Sequence, residues 1–145
     1  MNNRLMYLAG AGAGVVAGLL ILWIVLPAGA VTGGHDHTFD TVSVAELKAL
    51  LDRGAVTVID VRNAEPYLAS HIPGALQIPL TRIQGEIPYL PKGKRIVTYC
   101  SCPAEESSGH AAMILAGGGI PDVAALKGGF DEWVAQGLPV RSGSE

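Results

Sequence analysis

Charge is missing from two stretches of this chain, and each absence excludes something. Between Leu5 and Val31 there is no charged side chain of either sign. No Lys or Arg occurs among Ser101 to Ser107, directly after Cys100. The second gap argues against phosphate displacement at that cysteine, because such chemistry relies on a cation in the loop that cradles the oxyanion. Arg4 is the only charged residue ahead of Asp36, so the remainder sets nine Lys and Arg against thirteen Asp and Glu, a net −4. That balance argues against nucleic acid as a partner. Cysteine is scarce as well. Cys100 and Cys102 alone fall short of the ligand number a soft metal requires, unless His110 or another group joins them. Apart from a glycine-rich amino-terminal stretch, there is no internal repeat or low-complexity tract.

The uncharged stretch of about 27 residues, 5–31, exceeds the roughly 20 needed to cross a hydrocarbon core. A cleavable signal peptide has an apolar core of only about 7–15 residues and a small-x-small site, for which Ala28-Gly29-Ala30 would serve. Length favours an uncleaved anchor. Arg4 precedes the span and acidic Asp36 and Asp40 follow it, so the positive-inside rule keeps residues 1–4 in the cytoplasm. The following domain is then expected on the extracytoplasmic (periplasmic) side of the cell or inner membrane. Gly10, Gly14 and Gly18 repeat at four-residue spacing, which admits a helix-mediated dimer as well as a generic small-residue membrane helix. Residues 32–40, with Thr32-Gly33-Gly34-His35-Asp36-His37, suit a linker. A domain over 41–141 and a short tail over 142–145 complete the division.

From Thr41 on, strand and helix signals alternate, which predicts an α/β domain with a parallel sheet flanked by helices. Ser43 with Glu46 forms a capping box ahead of Leu47, Leu50 and Leu51, and Gly54 ends that helix. Ala55–Asp60 is a buried-strand run. A helical turn is expected over Pro66–Ser70, and His71–Ala75 leads into a brief strand, Leu76–Ile78, closed by Pro79. Arg82–Leu90 connects to the next strand. Pro121–Leu126 supplies a last strand. Gly128-Gly129 opens a final helix whose Phe130, Trp133 and Val134 face inward, with Gly137 as its cap.

The run Arg95-Ile96-Val97-Thr98-Tyr99-Cys100 ends on a thiol, and a helix with Ala111, Ala112, Ile114 and Leu115 on one face is expected over Ser108–Ala116. A strand that stops at a cysteine before a helix places sulfur at the carboxyl edge of the sheet, where α/β folds bind ligands. The unpaired N–H groups and positive dipole end of the helix lower a thiol pKa there and favour the nucleophilic thiolate. Cys100 is therefore the candidate catalytic residue. Ser101, Cys102, Ala104, Glu105, Glu106, Ser107 and Ser108 are the candidate substrate-binding loop, and Asp60 and Arg62, at the end of the neighbouring strand, its support. An ion pair or backbone contact is the simpler role for Asp60 and Arg62. Backbone hydrogen bonding suits His71, exposure suits His110, and Trp133 and Tyr67 fit the core or a groove wall.

Taken in order, these segments resemble the rhodanese family of sulfurtransferases. The matching residues are Val58-Ile59-Asp60-Val61-Arg62, Glu65, Tyr67, His71-Ile72-Pro73-Gly74-Ala75, Ile78-Pro79 and Ile96-Val97-Thr98-Tyr99-Cys100. Lys127-Gly128-Gly129-Phe130, Trp133 and Gly137-Leu138-Pro139-Val140 follow. The resemblance implies a five-stranded parallel sheet and Cys100 as the sulfur carrier. Its thiolate takes the outer sulfur of a donor as a persulfide, and a thiophilic acceptor then removes it. No metal or cofactor is required; the partners implied are a small sulfane-sulfur donor or a protein thiol.

The loop departs from the family pattern. Common members place five residues between the cysteine and the helix-opening serine, often with arginine; here seven intervene before Ser108, including Glu105 and Glu106. Two carboxylates would repel an oxyanion donor and tend to raise the thiol pKa, so a neutral, bulky or protein-borne donor fits better than thiosulfate. Cys102 adds a choice between a readily reduced disulfide with Cys100, receipt of sulfur from it, and a packing role. Two other classes of function stay open: a rhodanese scaffold that only binds a partner or holds a metal, and a thiol redox protein using both cysteines.

Overall fold

The computed structural model describes residues 39–144. The expected membrane span over 5–31, its glycine repeat and most of the linker, including His35 and His37, lie outside the described residues. Among those described, no helix is long and apolar enough to cross a membrane. Asp40, expected in the linker, is instead the first residue of a strand.

Five strands form one sheet: β1 (Asp40–Val42), β2 (Val56–Asp60), β3 (Leu76–Gln77), β4 (Arg95–Tyr99) and β5 (Val123–Leu126). Their order is β1-β5-β4-β2-β3, and every pairing is parallel. Five helices of four residues or more cover the faces: α1 (Val44–Asp52), α2 (Ala64–Ala69), α3 (Ile83–Glu86), α4 (Glu106–Gly117) and α5 (Gly129–Ala135). Single 3-10 turns at Leu80–Arg82 and Ile87–Tyr89 flank α3.

Local chemistry sets several of these boundaries. Ser43 accepts the Glu46 N–H, and Glu46 accepts the Ser43 N–H in return, so the expected capping box starts α1. Gly54, at φ +62°, takes the chain out of it. The buried-run strand in the middle of the sheet is covered on both sides, and Ile96 through Cys100 are all buried, as the unbroken apolar pattern requires. Successive side chains of β4 alternate between faces. Val97 and Tyr99 join Leu47, Val58, Phe130 and Trp133 in one core layer. Ile96 and Cys100 join Ile59, Ala111 and Leu115 in the other.

The elements depart from expectation in four places. α2 begins at Ala64 and α4 at Glu106, each two residues early. The last strand begins at Val123, because Pro121 and Asp122 are still in the turn. Val134 is 47% exposed and not inward-facing, while Phe130 and Trp133 are buried. α5 is only seven residues long, and its buried stripe is too narrow to take a third large side chain.

Gly129 fixes the approach of α5 to the cysteine. It sits at φ +59°, and a Cβ there would lie 2.2 Å from the Cys100 carbonyl oxygen. The next N–H, of Phe130, donates to that same oxygen at 2.8 Å. Gly129→Ala is therefore expected to cost about 2–4 kcal/mol, a left-handed side chain plus a clash with backbone that cannot yield. Gly54→Ala, equally left-handed but facing open space, should cost only about 1–2 kcal/mol. Urea unfolding of the two variants measures the difference.

Candidate active site

Strands β2 and β4 are neighbours, but β2 leads outward to β3 while β4 leads the opposite way to β5. Their following loops diverge and leave a crevice at the carboxyl ends, the position where open α/β sheets bind ligands. A cavity of about 440 Å³ lies there, walled by Arg62, Asn63 and Pro66 from the β2 side, Pro79, Leu80 and Thr81 after β3, and Cys100, Ser101, Cys102 and Ser107 after β4.

Cys100 is 3% exposed and is joined to Cys102 in a disulfide. The Cys102 N–H points at Cys100 Sγ from 3.4 Å, and Ser108 Oγ lies 3.5 Å from the same sulfur. Ser108 is itself fully buried and donates to the Glu105 carbonyl. Between them, Ala104 and Glu105 adopt left-handed backbone at φ 63° and 55°, a conformation that costs non-glycine residues on the order of 1–3 kcal/mol each and persists only where surrounding contacts hold it. One such contact is visible: the Glu105 carboxylate accepts the Gly128 N–H at 2.5 Å.

Arg62 brings the cation that the loop lacks. Its Nε and Nη2 grip the Asp60 carboxylate, with distances of 2.9 Å to Oδ1 and 2.6 Å to Oδ2. Nη2 also donates to the Ser70 carbonyl at 2.8 Å, and Nη1 reaches Ser101 Oγ at 3.3 Å. The guanidinium lies over the Phe130 ring, 4.2 Å from its centroid. Burial works against its charge, but hydrogen bonding to and attraction by Asp60 outweigh this and raise the Arg62 pKa. The pair occupies a nearly closed site, with side-chain exposure of 9% for Arg62 and 0% for Asp60. Breaking it would strand a buried charge.

Tyr99 completes this side of the site. Its hydroxyl accepts the Ile72 N–H at 3.2 Å. Burial, followed by the charge of Asp60 and a hydrogen bond to it, pushes its pKa well above the ordinary tyrosine range.

The structure thus brings together Cys100, Ser101, Cys102 and Ser107, with Ser108 beneath the sulfur and Asp60–Arg62 at the side. It does not bring Ala104, Glu105 or Glu106 to the cavity wall. The expectation that two glutamates repel an anion at the thiol is corrected here: Glu105 is turned to Gly128, and Glu106 is exposed in the first turn of α4. Sequence reasoning missed Asn63, Pro66, Pro79, Leu80 and Thr81. The proline after β3 marked the strand's end, but nothing local says that this turn lines the same cavity as the β4 loop. His71 is fully buried, with Nδ1 2.9 Å from the Tyr67 carbonyl, and His110 is exposed, both as expected. Tyr67 and Trp133 are core residues. Among the described residues no three His, Cys, Asp or Glu side chains are gathered to hold a metal ion.

Comparison with known proteins agrees with this fold. The family model for the rhodanese-like domain matches residues 43–136. The chain is 36% identical over 105 residues to an HTH-type transcriptional regulator, Rv0324, of Mycobacterium tuberculosis, covering 72% of this chain but 46% of that protein. It is 33% identical over 97 residues to the thiosulfate sulfurtransferase GlpE of Pseudomonas savastanoi pv. phaseolicola, covering 67% of this chain and 89% of that one. Among solved structures, the BH2092 protein of Bacillus halodurans superposes with a TM-score of 0.66 at 34% identity, over 71% of this chain and 77% of the other.

The buried tyrosine yields a pH prediction. Since Tyr99 holds its proton more tightly folded than unfolded, its contribution to stability is whole below about pH 10, the ordinary tyrosine value, and declines as pH rises beyond it. Tyr99→Phe should remove that share of the alkaline decline. It should also cost about 1–3 kcal/mol at neutral pH, by leaving the Ile72 N–H without its acceptor. Unfolding free energies measured from pH 7 to 11 check both parts.

Proposed function

This chain belongs to the rhodanese-like domain family, and we propose that it is a sulfurtransferase whose Cys100 carries sulfur as a persulfide. The observation that supports this most directly is the position of Cys100, on the wall of the crevice between the diverging loops of β2 and β4. With the disulfide reduced, the Cys100 thiolate attacks the outer sulfur of a sulfane donor. The new bond joins Sγ to that sulfur, and the donor leaves with the electron pair of the bond it loses. A thiolate or cyanide acceptor then attacks the terminal sulfur, and Cys100 leaves as thiolate.

Each residue of the site has a part in this. The Cys102 N–H stabilises anionic sulfur at Cys100. Arg62 lines the cavity and holds the loop through the Nη1 contact to Ser101, while its Nε and Nη2 edge is committed to Asp60. A charge so fully engaged attracts anions weakly. A neutral, bulky or protein-borne sulfane donor suits the cavity better than a doubly charged oxyanion such as thiosulfate. For the domain's location we propose that residues 5–31 act as a single-pass anchor with the domain on the extracytoplasmic side.

Two measurements test these proposals. After reduction and incubation with polysulfide, Cys102→Ser should gain one sulfur on Cys100, seen by intact-mass spectrometry, and Cys100→Ser should gain none. Absence of the adduct with persulfide, polysulfide and thiosulfate alike overturns the carrier role. For the anchor, the full chain should stay in the membrane pellet after alkaline carbonate washing. Its appearance in the supernatant overturns that location.

A further inference from the structure

Cys100 and Cys102 are bonded to each other, with one residue between them, and they differ in access: Cys100 is almost sealed while Cys102 is half-buried. Cross-linking positions this close constrains the unfolded chain least, so stabilisation accounts poorly for the bond. Its chemical meaning is that Cys102 Sγ reaches the very atom proposed to bear the transferable sulfur. The tether brings Cys102 to the inner sulfur, Cys100 Sγ.

We propose that the chain also acts as a persulfide reductase, in which Cys102 resolves the Cys100 persulfide, expels hydrosulfide and closes the Cys100–Cys102 disulfide. This rests on the persulfide chemistry proposed above. In the resolving step the Cys102 thiol gives up its proton and its sulfur attacks Cys100 Sγ. The Sγ–Sγ bond forms, the bond to the terminal sulfur breaks, and that sulfur leaves with the electron pair and the proton as HS⁻. The sulfane sulfur is reduced by two electrons, and the two cysteines supply one each.

Turnover then needs an external dithiol. Its thiolate attacks the accessible sulfur of Cys102, Cys100 departs as thiolate, and the dithiol's second sulfur closes its own disulfide to release Cys102. Access decides the order: a reductant meets Cys102 first, so the sulfur freed at once is the nucleophile. The disulfide in this structure corresponds to the state after sulfide has left and before the dithiol arrives. In this scheme an acceptor and Cys102 compete for the same loaded sulfur, and the chain divides its product between transferred sulfur and free sulfide.

The test uses the full chain in mild detergent, reduced, freed of reductant and mixed without oxygen with one equivalent of glutathione persulfide. Sulfide is measured as its bimane derivative and the protein by intact mass. Wild type should release about one equivalent of sulfide and become two hydrogens lighter than the reduced chain. Cys102→Ser and Cys102→Ala should instead hold one added sulfur and release at least tenfold less sulfide. A wild type that keeps the added sulfur with Cys102 still open to alkylation overturns the reductase while sparing the carrier role. So does equal sulfide from the Cys102 variants. If neither wild type nor the Cys102 variants take up sulfur, the loading step fails and both proposals fall.

Discussion

The guanidinium of Arg62 ties together the ends of several segments that meet at the crevice. It grips Asp60 at the end of β2, the Ser70 carbonyl after α2 and Ser101 in the cysteine loop, and it lies over the ring of Phe130 in α5. A buried pair of this kind gains little net stability over a well-packed apolar pair, because desolvation offsets attraction. Its value is directional. Five fixed N–H donors specify where three loops must sit, which an apolar contact would not do. The cavity beside Cys100 exists because these loops are held apart and in order.

The cysteine loop is constrained from a second direction by backbone. The Cys100 carbonyl accepts the Phe130 N–H, and Gly129 passes so close that no side chain fits. Ala104 and Glu105 are held left-handed, with the Glu105 carboxylate engaged by the Gly128 N–H. Glu105, which looks hostile to anion chemistry in a linear view, is here a structural ligand for a neighbouring turn. The longer loop accommodates this reach to Gly128 together with the return to Cys102.

Much of this architecture was legible beforehand. The capping box at Ser43 and Glu46, the unbroken apolar run from Ile96 to Cys100 and the thiol at the strand's end are local signals, and each appears where expected. The elements read less well are the short ones. β1, missed altogether, has three residues, below the length at which periodicity distinguishes a strand from a loop, whereas the two-residue β3 was found from the proline that closes it. Val134 was misplaced because seven residues of helix leave the direction of the buried stripe poorly defined. At the cavity, Cys100 with Ser101, Cys102 and Ser107 could be named in advance, and so could the Asp60–Arg62 pair, whereas Ala104, Glu105 and Glu106 lie off its wall. The opposite wall at Pro79, Leu80 and Thr81 could not, since it faces the loop across a cavity whose two sides lie about twenty positions apart in the chain.

The amino-acid sequence by itself determined where the Cys100 thiol sits, which strand leads to it and at which edge of the sheet, because a cysteine at the end of a buried apolar run, followed by a helix, has one such placement in a parallel α/β fold. Only the tertiary structure decided the electrostatic surroundings of that atom and its pairing with Cys102. Whether Glu105 faces the sulfur or Gly128, whether Arg62 reaches Ser101, and whether Cys102 turns toward Cys100 or away depend on side-chain direction. That direction is set by packing between loops distant in sequence, and a linear order of residues does not specify it.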